Sequence, residues 1–246
     1  MRWSRAAAGP ASPTRSLNGR ALATRLVMVR HGESVANVLG VIAGPKGCAG
    51  LSPHGIHQAE ALRERLARTG EISSPAGSDP GNVAALPSGI VLQTSILPRA
   101  IETARILAPV LGVQQDAIEQ DCGWCELHPG VADGLSLHEL EDLYGAPDMI
   151  GNPDRPLAPG AESWTSFRSR VMSTIDRVVS SNAGAILVVV CHAGVIEASL
   201  LGLLGVAGAS TRIGMRPANC SLTEWELSGS DHRWRLVRYN DAAHLA

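Results

Sequence analysis

Lysine is nearly missing from this chain: Lys46 is the only one, and arginine supplies the rest of the positive charge. With 21 basic against 23 acidic residues, a formal net charge of -2 leaves no overall basic field to draw nucleic acid or an acidic membrane. Long apolar runs are lacking as well. The two longest, 185–191 and 195–204, are too short, or too interrupted by glycine and charge, to span a bilayer. Cysteine is scarce and odd in number, at positions 48, 122, 125, 191 and 220, with no secretory leader ahead of it. That argues against a disulfide framework and makes a reducing, cytoplasmic location the expectation. No P-loop string, no paired-aspartate metal motif and no GxGxxG after the first strand is found, so the expected chemistry uses neither metal nor cofactor.

What is there suits a globular enzyme. At 45% hydrophobic and 18% charged, the 246 residues hold enough apolar material for a core, and α/β chains of this size often form one domain. Through Gly32 there are six arginines and no acidic residue, with Ala, Ser, Pro and Gly filling the rest. Pro10 and Pro13 interrupt any amphipathic helix there, so 1–24 reads as a flexible Arg-rich arm rather than a transit peptide, and 25–246 as one domain.

The run Leu26-Val27-Met28-Val29 ends abruptly at Arg30, as a buried parallel strand delivering polar residues at its carboxyl end would. Ser52 as N-cap, Pro53, and an apolar face of Ile56, Ala59, Leu62 and Leu66 predict a helix to Thr69. A Gly-, Ser- and Pro-rich stretch, 71–88, reads as a surface loop. A second strand over 89–94 leads through a polar turn, 95–99, into a helix stopped by Gly112. Ser136 with Glu139 predicts a capping box for a helix to Tyr144, and the spacing of Trp164, Phe167, Val171, Ile175 and Val178 predicts another helix from Ser163. Strand 185–191, helix 195–204 and strands 220–227 and 233–239 follow. This alternation implies an α/β fold: a three-layer, doubly wound, mostly parallel sheet with helices on both faces. Ligands of such sheets sit beyond the carboxyl ends of the strands, where Arg30-His31, the turn before Arg99, and His192 would converge.

Two Arg and two His suit phosphoryl transfer, which needs an in-line nucleophile and donors around three equatorial oxygens. His31 is the candidate nucleophile, its other ring nitrogen held by an acceptor such as a backbone carbonyl. Arg30 and Arg99 would clamp the oxygens, and a protonated His192 would add a further donor.

The string Arg30-His31-Gly32-Glu33-Ser34 with Asn37 resembles the signature of the histidine phosphatase superfamily, the phosphoglycerate mutase-like fold. The likeness continues through Leu51-Ser52-Pro53-His54-Gly55, Ser95 to Thr103, Pro159 to Ser163, and Cys191-His192-Ala193-Gly194, covering about 26–227. It implies a metal-free phosphomonoester hydrolase acting on a small phosphorylated metabolite through a phosphohistidine on His31. The family's general acid precedes two glycines at four-residue steps, a frame that fits Glu126, Gly130 and Gly134; Glu119 and Asp133 fit less well. Asn37 and the backbone at Ala193, where relatives often carry Gly, would bind phosphate, and Lys46 would grip a second anionic group or simply be solvated. Glu197 stands where many relatives carry Arg, which bears on substrate preference.

Cys122-Gly-Trp-Cys125 has redox-motif spacing, yet no thioredoxin-type helix follows and no second CxxC completes a zinc site, so two ordinary thiols are expected. A phosphoglycerate-type mutase would use the same histidine, but relatives of that kind carry Glu-Arg-His-Tyr-Gly around the acid, and here Glu126 is followed by Leu127-His128-Pro129-Gly130. A non-catalytic phospho-ligand binder on the same fold is the remaining alternative. The partner is expected to be a small molecule, and assembly is left open, homodimers being common among soluble enzymes.

Overall fold

The computed structural model describes residues 22–73, 89–206 and 214–246. Most of the Arg-rich arm and of the loop expected over 71–88 therefore lie outside the described residues. The first strand, β1, spans Thr24–Arg30, so Thr24 already belongs to the sheet rather than to the arm. The remaining strands are β2 Ile90–Thr94, β3 Glu119–Gln120, β4 Ile186–Cys191, β5 Leu222–Leu227 and β6 Trp234–Asp241. They form one six-stranded sheet in the order β3-β2-β4-β1-β5-β6. The first four are mutually parallel, and β5 and β6 complete one side as an antiparallel ribbon. The mostly parallel sheet is thus as expected, and β3 is a two-residue addition with no apolar pattern to announce it.

The helices are α1 Val35–Leu39, α2 Pro53–Thr69, α3 Pro98–Leu107, α4 Leu137–Tyr144, α5 Trp164–Ser181 and α6 Ala193–Leu203. Their starts are encoded locally: the hydroxyls of Ser52, Ser136 and Ser163 accept the N–H groups of Gly55, Glu139 and Ser166, and Pro53 fills the first position of α2. Pro98 and Arg99 already lie in the first turn of α3, so the polar turn is shorter than its sequence suggests.

Side chains alternate across the strands and so build two cores. Leu26, Met28, Leu187 and Val189 pack with α5 and α6 through Phe167, Val171, Ile175 and Val195. Val27, Val29, Val188 and Val190 pack on the other face with α2 and α3 through Ala59, Leu62, Ala104 and Leu107. Each fully buried Leu, Val or Ile contributes on the order of 1.5–3 kcal/mol, which holds β1 and β4, both covered on their two faces, rigidly in the middle. The chain goes from β1 outward to β2 and β3 and returns through α5 to β4 between them. That reversal opens a crevice at the carboxyl ends of β1 and β4.

Candidate active site

The register of the two central strands sets the site. Arg30 pairs with Cys191, the last residues of β1 and β4, and the His31 N–H donates to the Cys191 carbonyl at 3.0 Å. His31 and His192 therefore leave the sheet side by side. Their ring centroids lie 5.0 Å apart at an interplanar angle of 61°.

His31 is buried, and both ring nitrogens are engaged. Nδ1 meets the Gly32 carbonyl at 2.6 Å, which requires its proton there and leaves the Nε2 lone pair free; Nε2 accepts from Arg99 Nε at 3.1 Å. Burial, followed by the charge of Arg99 and then that of Arg30, holds the pKa of His31 well below 6.5 against the raising effect of the Gly32 bond. The imidazole is thus neutral and nucleophilic. Gly32 is needed because a Cβ there would collide with the Gly55 carbonyl in the first turn of α2. Its N–H donates to Thr103 Oγ1 at 3.1 Å, and the same hydroxyl donates to the Arg99 carbonyl at 2.8 Å, tying the loop that bears His31 to α3.

Arg99 reaches His31 from the start of α3, and its Nη1 donates to the Ala43 carbonyl at 2.9 Å. Arg30 donates from Nη1 to the Pro217 carbonyl at 2.6 Å, while its Nε is buried with no partner. His192 is fully buried; Nε2 meets Ser95 Oγ at 2.8 Å and Nδ1 has no partner. Buried polar atoms without partners are uncommon, and these two belong to residues that flank His31. Burial, then Arg99, His31 and Arg30, keep His192 well below its ordinary pKa, so without a ligand it is neutral rather than the imidazolium considered from sequence.

A cavity of about 190 Å³ is lined by Arg30, His31, Asn37, Arg99, Glu126 and Ala193, among others. The structure thus brings six of the eight residues singled out from sequence to one cavity, with His192 packed against His31. Glu126 is seated on the first turn of α6: one carboxylate oxygen accepts the Gly194 N–H at 3.0 Å and the other its neighbour Leu127 N–H at 3.1 Å. A helix N-terminus attracts negative charge, so the same N–H groups suit a phosphate. Glu197, half-buried on α6, has its carboxyl pushed up by burial and then by the charge of Glu126. The other two carboxylates weighed from sequence serve elsewhere. Glu119 accepts from Gln93 at 2.7 Å on β3, and Asp133 accepts the Gly44, Lys46 and Gly47 N–H groups at 2.8, 2.8 and 2.9 Å.

Asn37 spends its carbonyl on the capping box of α1, accepting from Ser34 N–H and hydroxyl at 3.0 and 2.9 Å, which leaves the amide NH₂ for a ligand. Lys46 is exposed and does not line the cavity; only its backbone is fixed, by Asp133.

Sequence reasoning missed Arg170. From α5 its Nη1 donates to the carbonyls of Cys122, Gly123 and Cys125 at 3.0, 3.0 and 3.1 Å, and its Nη2 to that of Glu126 at 3.3 Å. Glu162 clamps the same guanidinium at 2.8 and 2.6 Å. The loop bearing Glu126 is therefore hung on one cation. The only signal was the Gly160-Ala161-Glu162-Ser163 string, which marks Glu162 but not its partner.

The model of the histidine phosphatase superfamily (branch 1) matches residues 26–79 and 82–242. "Phosphoglycerate mutase-like protein 4" of Arabidopsis thaliana is 29% identical over 224 residues, 89% of this chain and 86% of that protein. The "metal-independent phosphoserine phosphatase" of the same plant is 27% identical over 227 residues, 91% and 84% of the two chains. Among solved structures, mycobacterial glucosyl-3-phosphoglycerate phosphatase complexed with VO3 aligns with a TM-score of 0.67 and 28% identity, covering 88% of this chain and 98% of that one. A strand-end histidine pair, two guanidinium groups and a match along nearly the whole described fold lead to one conclusion: the chain belongs to branch 1 of the histidine phosphatase superfamily.

Proposed function

We propose that this histidine phosphatase hydrolyses a small phosphorylated metabolite through a phosphohistidine on His31, with Glu126 as general acid and then base. The observation that carries the reading is the fixed tautomer of His31, whose Nδ1–H is spent on Gly32 and whose Nε2 lone pair faces the Arg99 guanidinium in the cavity.

As substrate enters, Arg99 Nε exchanges its bond to His31 for one to a phosphoryl oxygen, freeing the lone pair. Nε2 attacks phosphorus while the P–O bond to the leaving alcohol breaks, and Glu126 gives the alkoxide its proton. Arg30, Arg99 and His192 surround the developing charge, the dianion itself favouring protonation of His192. Water then loses a proton to Glu126 and attacks phosphorus, the P–N bond breaks, and His31 is regenerated with release of phosphate. A cavity of about 190 Å³ is small beside the common ligand pocket of roughly 300–1,000 Å³, which favours a compact substrate. Phosphoserine, the substrate class named for a plant relative, is the first compound to try.

The test is rapid acid-free quenching of the protein with radiolabelled p-nitrophenyl phosphate. Wild type is expected to carry label that is acid-labile and base-stable, and His31→Ala none. Label or turnover retained by His31→Ala would refute the assignment. With 3-phosphoglycerate in place of the nitrophenyl ester, free phosphate without isomerised product separates hydrolysis from mutase chemistry.

A further inference from the structure

Outside the phosphate site, one group of metal-capable side chains stands out among the described residues. Cys122 Sγ and Cys125 Sγ are 3.1 Å apart, His128 Nε2 lies 3.2 Å from Cys122 Sγ, and all three atoms fall within 4.8 Å of one another. We infer that Cys122, Cys125 and His128 form a three-ligand site for one soft divalent cation of the zinc type, its fourth position open. The His128 that completes it was not anticipated, since the sequence expectation was two ordinary thiols and no metal site.

The geometry needs little change. Tetrahedral zinc with bonds of about 2.3 Å to sulfur and about 2.0 Å to nitrogen sets ligand atoms roughly 3.5–3.8 Å apart, so the thiol pair would open by about 0.7 Å and the thiol–imidazole pair by about 0.3 Å. The backbone is already fixed, because a tight turn over Cys122–Trp124 presents both thiols and Arg170 binds the carbonyls of Cys122 and Cys125.

Orientation of the imidazole is a second, independent observation. Glu162 Oε2 lies 3.4 Å from His128 Nδ1 and also accepts the His128 backbone N–H at 3.0 Å. A carboxylate behind a ligating histidine keeps the proton on the far nitrogen and directs the other lone pair to the metal. A pocket of about 20 Å³ between Pro45, Leu127 and the three ligands has room for one water as fourth ligand.

The site also touches the catalytic loop. Cys125 immediately precedes Glu126, and Ser95, which bonds His192, donates to Cys125 Sγ at 3.6 Å. Bound zinc is therefore expected to slow phosphate release by wild type and not by Cys122→Ser. That effect rests on the catalytic reading above; metal binding does not, so the two can fail separately.

The experiment is titration of the metal-free, reduced full chain with Co²⁺ and then Zn²⁺ in competition with a chromophoric chelator. One equivalent is expected to bind with a thiolate-to-cobalt charge-transfer band that zinc abolishes. Cys122→Ser and His128→Gln, checked by circular dichroism for an unchanged fold, should each lose at least tenfold in zinc affinity, while Cys48→Ser loses nothing. Absence of stoichiometric uptake, or unchanged affinity in both variants, would overturn the site. So would uptake that survives Cys122→Ser but vanishes in His31→Ala, which would put the metal in the phosphate pocket.

Discussion

Acidification should destabilise this protein well before its carboxylates titrate, because two histidines are held neutral in the core. His31 cannot take a proton without setting Nε2–H against the Arg99 Nε–H that now donates to it, and His192 is enclosed by the same arginines. Both pKa values are lowered on folding from an ordinary 6.5. Below 6.5 the unfolded chain therefore binds more protons than the folded one, and stability falls as pH falls. Each imidazole that stays neutral approaches a limiting cost of about 1.4 kcal/mol per pH unit roughly one unit below 6.5, so the limit for the pair is roughly 3 kcal/mol per unit until the folded values are reached. His128 and His244, also lowered chiefly by burial, add in the same direction, whereas the raised carboxyl of Glu197 opposes them. Reversible urea unfolding between pH 7 and 5 measures the slope, and His31→Asn should remove about half of what the pair contributes. Equal stability at the two pH values, or the wild-type slope in His31→Asn, would refute the argument. A further decline is expected below pH 4, where Glu71, Asp121, Glu162 and Asp241, all lowered by arginine and hydrogen-bond partners, regain protons.

Two further outcomes follow from the loop that carries Glu126. Arg170→Met removes four bonds to backbone carbonyls and strips Glu162 of its arginine, leaving that carboxylate to His128, a loss of about 3–5 kcal/mol. At about 2–4 °C per kcal/mol for a chain of this size, Tm should drop by roughly 6–20 °C, and kcat should fall more than KM changes; a melt within 2 °C of wild type would count against it. Glu126→Gln should lower kcat by about 10²–10⁴ on an alkyl phosphate and far less on p-nitrophenyl phosphate, whose leaving group needs no proton; equal losses on both would remove Glu126 from the acid role.

Much of this was legible because it is written locally. The change from Val29 to Arg30 marks a strand end in any context, and Ser52-Pro53, Ser136 with Glu139, and Ser163 announce helix starts through bonds made within four residues. β3 was illegible because Glu119 and Gln120 are exposed and owe their strand geometry to β2 alone. α1, five residues long, is shorter than any periodicity window. Asp133 and Arg170 were missed as organisers because their partners lie on other segments: Asp133 holds backbone up to 89 residues away and Arg170 up to 48. A charge's sequence neighbours do not reveal which distant carbonyls it will meet.

The pairing of Arg30 with Cys191 also has a bearing on when the enzyme can first work. Arg99 lies 68 positions beyond His31, and His192 lies 97 beyond Ser95, so apart from the bond to Gly32 the contacts around the His31 imidazole close very long loops. Such distant encounters come late and slowly. A nascent chain emerging from a ribosome would therefore carry His31, the proposed nucleophile, for most of its synthesis without any means of using it, and activity would switch on only as β4 slots between its neighbours.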